Sequence, residues 1–309
     1  MDGIFFLLLA FLTMFSSIKL SYYGDALSKS TKLGTAFIGG LLIASITSLP
    51  ELVTSVSAVL VNNPYLSFGD ILGSNMFNIF VLSIYNIWFF KKDLFKNTNN
   101  KYKIECLILI IEYLIVLIAT YIKTLDIVTI ILLIMYVIYT IKVINNKEEH
   151  IDNYNKEKYV LIKFILFSTG LIFLSILLTL EADKITRLYP KVSSSSVGAI
   201  LLGITTSLPE VVSTYALIKF RNYNMAISNM LGSNIFNFLV LALSDFFVIN
   251  DHIYNFVDRF TYMYIYGGIF ITVLLLISII HKRMSKVSYI FISILMSLSY
   301  LLIWYFQFH

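Results

Sequence analysis

Ten apolar stretches, each close to the length that a helix needs to cross a membrane, dominate this 309-residue chain. They lie near residues 4–23, 34–61, 66–90, 104–122, 126–144, 159–180, 193–219, 224–248, 260–280 and 287–307. A bilayer offers no water to unpaired backbone groups, so a spanning segment must satisfy its own hydrogen bonds, as an α-helix does. The sequence therefore predicts an all-α, polytopic membrane protein with ten transmembrane helices.

The composition excludes a soluble domain, because 58% of the residues are apolar, 13% are charged and the mean hydropathy is +0.83. A net charge of +5 could indicate nucleic-acid binding in a soluble protein. Here the lysines collect in short connections between apolar stretches, where they bias topology. We therefore expect the lipid bilayer as a partner and no nucleic acid. The sequence indicates no particular oligomeric state.

The two halves of the chain carry copies of the same polar phrases. TSLPE occupies residues 47–51 and again 206–210, followed by GSNMFN and GSNIFN at the same distance. With an offset of 159 residues and no gap, 15 of the 39 positions in 44–82 are identical. Matching rare polar residues indicates duplication rather than chance similarity between apolar helices. We expect a first five-helix repeat at 1–145, a cytoplasmic connecting loop at 146–158 and a second repeat at 159–309.

Lysine and arginine counts predict the orientation of these repeats. The connections after predicted helices 1, 3, 5, 7 and 9, with the adjoining helix ends, hold sixteen such residues, and those on the other face hold five. Positive charge is retained on the cytoplasmic side, so both termini are expected outside the cell. Because five is odd, the second repeat must enter from the opposite face, which makes the repeats inverted. The abundance of Ile, Lys and Asn is typical of an AT-rich prokaryotic genome and favours the cell membrane.

Each TSLPE phrase places a glutamate beside a proline at membrane depth. Pro50 and Pro209 lack an amide hydrogen and should break predicted helices 2 and 7. Hydroxyls three and four residues before each glutamate share its helix face. The candidate ligands from this phrase are Glu51, Thr47, Ser48, Glu210, Thr206 and Ser207. A proline kink satisfied by a neighbouring hydroxyl, with a protonated glutamate, is the simpler alternative for one copy, but the duplication argues against it.

The GSN phrases add polar residues four apart on one helix face. These are Ser74 and Asn78 in the first half and Ser233 and Asn237 in the second. Alone they would be read as interhelical contacts, but beside the glutamates we interpret them as ligands. The combined set offers only oxygen, which hard cations prefer. One Ca²⁺, several Na⁺ or protons could each neutralise the glutamate pair but not all together, and such competition is the physical basis of antiport.

These phrases resemble the alpha-repeats of the Ca²⁺/cation antiporter superfamily, in its sodium/calcium exchanger family. The resemblance implies that Glu51 and Glu210 ligate Ca²⁺ and share Na⁺, that hydroxyls line the ion sites, and that helices 1 and 6 slide to alternate access. Ile46 and Thr205 stand where the motif normally has glycine. Asn237 stands where potassium-dependent relatives usually carry aspartate, which argues against K⁺ coupling. With Asn78 and Asn237 neutral, the fixed charge is expected to come from the two glutamates alone.

The leading hypothesis is a secondary active antiporter that exchanges Ca²⁺ for Na⁺ by alternating access at a shared two-glutamate site, without a cofactor. A Ca²⁺/H⁺ antiporter on the same scaffold remains an alternative. An intramembrane enzyme using the glutamates as acid and base fits poorly, because all four histidines lie in connections or at helix ends. A channel also fits less well, since broken helices in inverted repeats suit alternating access.

Overall fold

The computed structural model describes an all-helical chain. Its described residues are 2–31, 34–89, 94–95, 102–122, 126–145, 158–186, 202–281 and 283–308. The helices are α1 (Asp2–Ser30), the π-helix π1 (Ala36–Ile43), α2 (Ala44–Thr47), α3 (Leu49–Leu60), α4 (Pro64–Trp88), α5 (Lys103–Ile122), α6 (Asp126–Asn145), α7 (Val160–Thr186), α8 (Gly203–Thr206), α9 (Leu208–Lys219), α10 (Tyr223–Asp245), α11 (Arg259–Ile280) and α12 (Lys286–Phe308). A 3₁₀ turn, Ile253–Asn255, precedes α11.

Nine segments of the described chain are long and apolar enough to cross a membrane, and they correspond to nine of the ten predicted helices. The segment from π1 through α3 counts as one of them. Residues 193–201, at the start of the predicted seventh helix, lie outside the described residues, as do residues 146–157 of the predicted connecting loop. The all-α membrane architecture is therefore confirmed.

The first helix is longer than the sequence predicts, because it runs to Ser30 rather than ending near residue 23. Hydropathy falls at Asp25, but this residue is only 6% exposed. Its Oδ2 lies 2.6 Å from Nζ of Lys29, and its Oδ1 accepts a hydrogen bond of 2.7 Å from Asn222. The polar residues are thus paired within the fold, and the helix continues through them.

Both TSLPE phrases interrupt a helix at their serine. Ser48 stands between α2 and α3 with φ −91° and ψ 8°, and Ser207 stands between α8 and α9 with φ −80° and ψ 2°. Each serine is the N-cap residue of the following helix, and the proline comes within that helix's first two positions, where a missing amide hydrogen breaks no helical bond. The local sequence therefore starts α3 and α9 with a glutamate in the first turn.

The two halves also end α3 and α9 in the same way. Asn62 and Arg221, 159 positions apart, adopt φ values of 59° and 63°. The next residue in each half donates its amide hydrogen five positions back, from Asn63 to Ala58 and from Asn222 to Leu217. This is the left-handed helix ending known as the Schellman motif. Duplicated sequence has thus produced duplicated backbone geometry.

Helices α4 and α10, which carry the GSN phrases, lie at the centre of the molecule. The membrane-length window of α10 is 89% buried and that of α4 is 72% buried, against 28% for α6 and for α7. Helix α10 packs against π1 so closely that a Cβ added to Gly232 would overlap the Gly40 backbone. The polar residues of both central helices therefore face protein rather than lipid.

Candidate functional site

Each glutamate of the TSLPE phrases is bonded to the serine of the other phrase. Ser48 Oγ donates to Glu210 Oε1 at 2.7 Å, and Ser207 Oγ donates to Glu51 Oε1 at 3.1 Å. Because these serines cap α3 and α9, each carboxylate lies at the N-terminus of the helix that carries the other glutamate. The positive end of a helix dipole stabilises negative charge there. The arrangement is reciprocal, as expected of two related halves facing each other.

The ten predicted site residues are all buried, with Thr206 at 1% exposure and the other nine at 0%. The second carboxylate oxygen of each glutamate, Oε2, has no hydrogen-bond partner among the described residues. Leaving an ionised carboxylate oxygen unpaired in the interior is unfavourable, so this oxygen needs a proton or a cation. A proton or a cation bound at each Oε2 atom would therefore be stabilising.

The two threonines of the phrases bond within their own helical segments. Thr47 Oγ1 donates to the carbonyl oxygens of Ile43 at 3.0 Å or Ala44 at 3.2 Å. Thr206 Oγ1 lies 3.0 Å from the Leu202 carbonyl oxygen and 3.4 Å from that of Gly203. A hydroxyl that donates to a carbonyl keeps its lone pairs available for a cation.

The serines of the GSN phrases connect the central helices to the interrupted ones. Ser74 Oγ, on α4, donates to the Gly203 carbonyl oxygen at 3.2 Å, and Ser233 Oγ, on α10, donates to that of Ala44 at 3.5 Å. Positions 44 and 203 are again 159 apart. These two predicted serines and the two threonines thus lie where helices from the two halves meet, although each serine bonds a carbonyl rather than a glutamate.

The predicted asparagines, Asn78 and Asn237, bond two asparagines that the sequence argument did not single out. Asn78 Nδ2 donates to Asn234 Oδ1 at 2.9 Å, and Asn237 Nδ2 donates to Asn75 Oδ1 at 2.9 Å. Asn75 and Asn234 also exchange amide-to-carbonyl bonds of 3.2 and 3.0 Å. The sequence could have indicated both Asn75 and Asn234, since each is the last residue of a GSN phrase. Oδ1 of Asn78 and of Asn237 has no hydrogen-bond partner in the described part of the chain.

Asp70 is a buried carboxylate of this region that the sequence argument missed. It is 0% exposed on α4, and its oxygens lie 3.2 Å from Ser55 Oγ and 3.3 Å from Thr206 Oγ1. Asp70 is therefore a third buried carboxylate in this part of the interior, in addition to the two glutamates expected to supply the fixed charge of the site. The sequence could have indicated Asp70, because the alignment of the two halves pairs this acid with the neutral Asn229.

The donor set suits cations that prefer oxygen. Across the described ranges, no three His, Cys, Asp or Glu side chains converge as one metal-binding group. A site around the two glutamates would therefore combine their carboxylates with hydroxyl, amide and carbonyl oxygens, which Ca²⁺ and other hard cations accept. Ile46, at one of the two positions that differ from the glycine motif, is partly buried and packs against the hydrophobic core.

Comparison with known proteins identifies the family of the chain. A sequence model of the sodium/calcium exchanger protein family matches residues 3–145 and 159–309. The chain is 28% identical over 236 residues to an uncharacterized membrane protein of Methanocaldococcus jannaschii, a match that covers 70% of this chain and 74% of that protein. It is 23% identical over 245 residues to the inner membrane protein YrbG of Escherichia coli, covering 74% of each.

Solved structures show the same fold. The sodium-calcium exchanger NCX_Mj soaked with 2.5 mM Na⁺ and 0.1 mM Ca²⁺ matches with a TM-score of 0.72 at 23% identity, over 97% of this chain and 96% of that one. The same exchanger soaked with zero Na⁺ and Ca²⁺ matches with a TM-score of 0.70. The helical membrane fold is therefore shared over nearly the whole length of both chains.

Proposed function

This chain belongs to the sodium/calcium exchanger family, and we propose that it is a secondary active antiporter that exchanges Ca²⁺ for Na⁺. Membership in a family of ion exchangers makes it a multi-pass membrane transporter rather than an enzyme. Ca²⁺ and Na⁺ are the family's transported ions, and no cofactor is required. Beyond family membership, we propose that the two ions exchange at one shared two-glutamate site and that access to this site alternates between the two sides of the membrane.

The observation that carries the proposal is the reciprocal bonding of Glu51 and Glu210, which leaves one buried oxygen of each carboxylate without a partner. Two carboxylates supply the charge that balances one Ca²⁺, and surrounding hydroxyl oxygens replace part of its hydration shell. Na⁺ ions could neutralise the same carboxylates, but their ligands would overlap with those of Ca²⁺. Binding of one kind of ion therefore excludes the other, and transport of one drives transport of the other.

We further propose that access alternates through two inverted five-helix repeats, residues 1–145 and 159–309, joined by a cytoplasmic loop at 146–158. The reciprocal serine, glutamate and asparagine contacts at an offset of 159 support such a relation between the halves. In this scheme both termini are extracellular and the protein resides in the cell membrane. The helix interruptions at Ser48 and Ser207 would let polar backbone line the ion path.

Ca²⁺/H⁺ exchange is a second candidate, because the partnerless Oε2 atoms could accept protons as well as cations. The two candidates share the glutamates and differ only in which ion replaces Ca²⁺. A proton needs one oxygen, whereas Na⁺ needs several, so the hydroxyl-rich surroundings favour Na⁺.

Uptake of ⁴⁵Ca²⁺ into proteoliposomes tests the proposal. We expect an outward Na⁺ gradient to drive uptake and an outward proton gradient of equal driving force to drive much less. Uptake that responds only to the proton gradient would establish the second candidate instead. Uptake that responds to neither, from liposomes with verified insertion, would rule out both.

A further inference from the structure

The two central helices, α4 and α10, carry equivalent polar residues near their C-terminal ends, Asn86 and Asp245, 159 positions apart. Asn86 is 4% exposed. Its Oδ1 accepts a hydrogen bond of 3.4 Å from the Phe95 amide, and its Nδ2 donates to Ser293 Oγ on α12 at 2.9 Å. A neutral amide is therefore sufficient to join the end of a central helix to the chain that follows it and to the last helix of the other half.

Asp245 makes the corresponding contacts with a carboxylate. It is 7% exposed, and its Oδ1 accepts a hydrogen bond of 2.7 Å from the Ile253 amide. Its Oδ2 accepts a hydrogen bond of 2.5 Å from Thr129 Oγ1 on α6. Because Asn86 joins the same kinds of segment without a charge, these contacts do not require the negative charge of Asp245. A buried charge is unfavourable unless it is compensated, so this carboxylate indicates a cationic partner.

Among the described residues, His252 is the side chain that forms an ion pair with Asp245. Its Nδ1 lies 3.3 Å from Asp245 Oδ2, and 27% of its side chain is exposed. This distance is longer than the usual length of a hydrogen bond between two charged groups, about 2.7–2.9 Å. It matches the separation of two neighbouring ligands of tetrahedral Zn²⁺, about 3.4 Å when each lies about 2.0–2.1 Å from the metal. Imidazole nitrogen and carboxylate oxygen are also ligands that such metals bind.

The pair borders a cavity of about 450 Å³, whose lining also includes Thr129, Asn250 and Asp251. Hydrogen bonds from Asn255 and from the His252 amide lower the pKa of Asp251, so it adds a second negative charge at neutral pH. In the part of the chain that the structure describes, no three His, Cys, Asp or Glu side chains converge. A metal here would therefore have two ligands from such side chains and complete its coordination with water, for which the cavity has room.

We propose that Asp245 and His252 form a binding site for a divalent transition-metal ion such as Zn²⁺. Thr129 and the Ile253 amide hold the carboxylate in place, as outer hydrogen bonds commonly do for metal ligands. Asn237 lies eight residues earlier on α10, about 12 Å along the helix axis, so the metal site is separate from the two-glutamate site. In the proposed orientation the start of α10 is cytoplasmic, and this end faces outside. The inference goes beyond the proposed function and does not depend on which ions are exchanged.

Titration of the untagged, purified protein with Co²⁺ tests the site, because Co²⁺ takes the same ligands as Zn²⁺ and its visible absorption reports its coordination. Millimolar Ca²⁺ is present throughout to occupy oxygen-only sites. We expect one Co²⁺ to bind per chain, and the affinity to fall roughly tenfold or more in Asp245→Asn and in His252→Gln. Asp245→Asn copies Asn86 and should fold. His281→Gln is the matched control, since His281 contacts the Ile277 carbonyl oxygen, and it should bind Co²⁺ as wild type does.

Metal binding should also raise Tm, because it joins the end of α10 to the segment before α11, and both variants should lose this rise. Wild type that binds no Co²⁺ would overturn the inference, as would equal affinity in wild type and either variant. Binding that Ca²⁺ prevents would also overturn it, because the metal would then lie at the glutamates. If Asp245→Asn does not insert, His252→Gln supplies the comparison through a partly exposed side chain. Wild type that binds Co²⁺ as expected but lacks Na⁺-driven uptake would defeat the proposed function alone.

Discussion

The two halves of this protein are alike at their glutamates and different one helix away. Ser48 and Ser207 bond the opposite glutamate in matching ways, whereas Asp70 and Asn229 occupy matching positions with different charge and different partners. Equivalent residues that face each other are expected to contribute together, whereas a charge found in only one half acts only on its own surroundings. The two halves are therefore equivalent at the glutamates and not equivalent at positions 70 and 229.

The largest expected effect concerns the matched pair. Glu51→Gln or Glu210→Gln removes one of two charges that a divalent ion needs, and we expect either change to lower Ca²⁺ exchange roughly a hundredfold or more. Membrane insertion should be retained, because glutamine keeps the side-chain volume. Flux assays on both variants check this prediction. Near-normal flux in either one would contradict the view that both halves contribute equally.

The hydrogen bonds between Asn75 and Asn234 allow the two halves to be compared by their contributions to stability. Asn75→Ala and Asn234→Ala each remove two hydrogen bonds that cross between α4 and α10. Interhelical hydrogen bonds in membranes contribute about 1 kcal/mol each, so we expect losses of about 1–2 kcal/mol that are equal for the two variants. Thermal unfolding in detergent measures them, and a clear inequality would show that the halves are not mechanically equivalent here.

A smaller, stabilising effect is expected at the matched helix ends. Asn tolerates a positive φ better than Arg, so Arg221→Gly should raise the free energy of unfolding by about 1 kcal/mol, and Asn62→Gly by less. Tm values of the two variants test the difference. A larger gain at Asn62 would contradict the assignment of backbone strain to Arg221.

The smallest expected effect concerns the side chains that replace motif glycines. Ile46→Gly and Thr205→Gly should each change the apparent Ca²⁺ affinity by roughly threefold, a difference below about 1 kcal/mol, because they adjoin the proposed ion ligands without carrying charge. Concentration dependence of ⁴⁵Ca²⁺ exchange measures the change. Unchanged affinities in both variants would show that these positions do not shape the site.

Much of the fold could be predicted from patterns within single segments. Apolar length revealed nine of the membrane helices, and Pro50 and Pro209 marked where α3 and α9 begin. The end of α1 could not be predicted in the same way, because Asp25 is kept in the helix by Lys29 and by Asn222, which is almost two hundred residues away. A hydropathy profile contains no information about Asn222 as a partner of Asp25, so it predicts that the helix ends before this carboxylate.

The sequence by itself determined the membrane class, the duplication and the residue types offered to an ion, because each depends on local composition or on comparing the chain with itself. Only the tertiary structure decided that each serine bonds the opposite glutamate, that Asn75 and Asn234 bridge the central helices, and that Asp70 meets Thr206. Helical periodicity specifies which side chains share a face, but it does not specify which helix lies opposite. That choice is made by packing between segments more than a hundred residues apart.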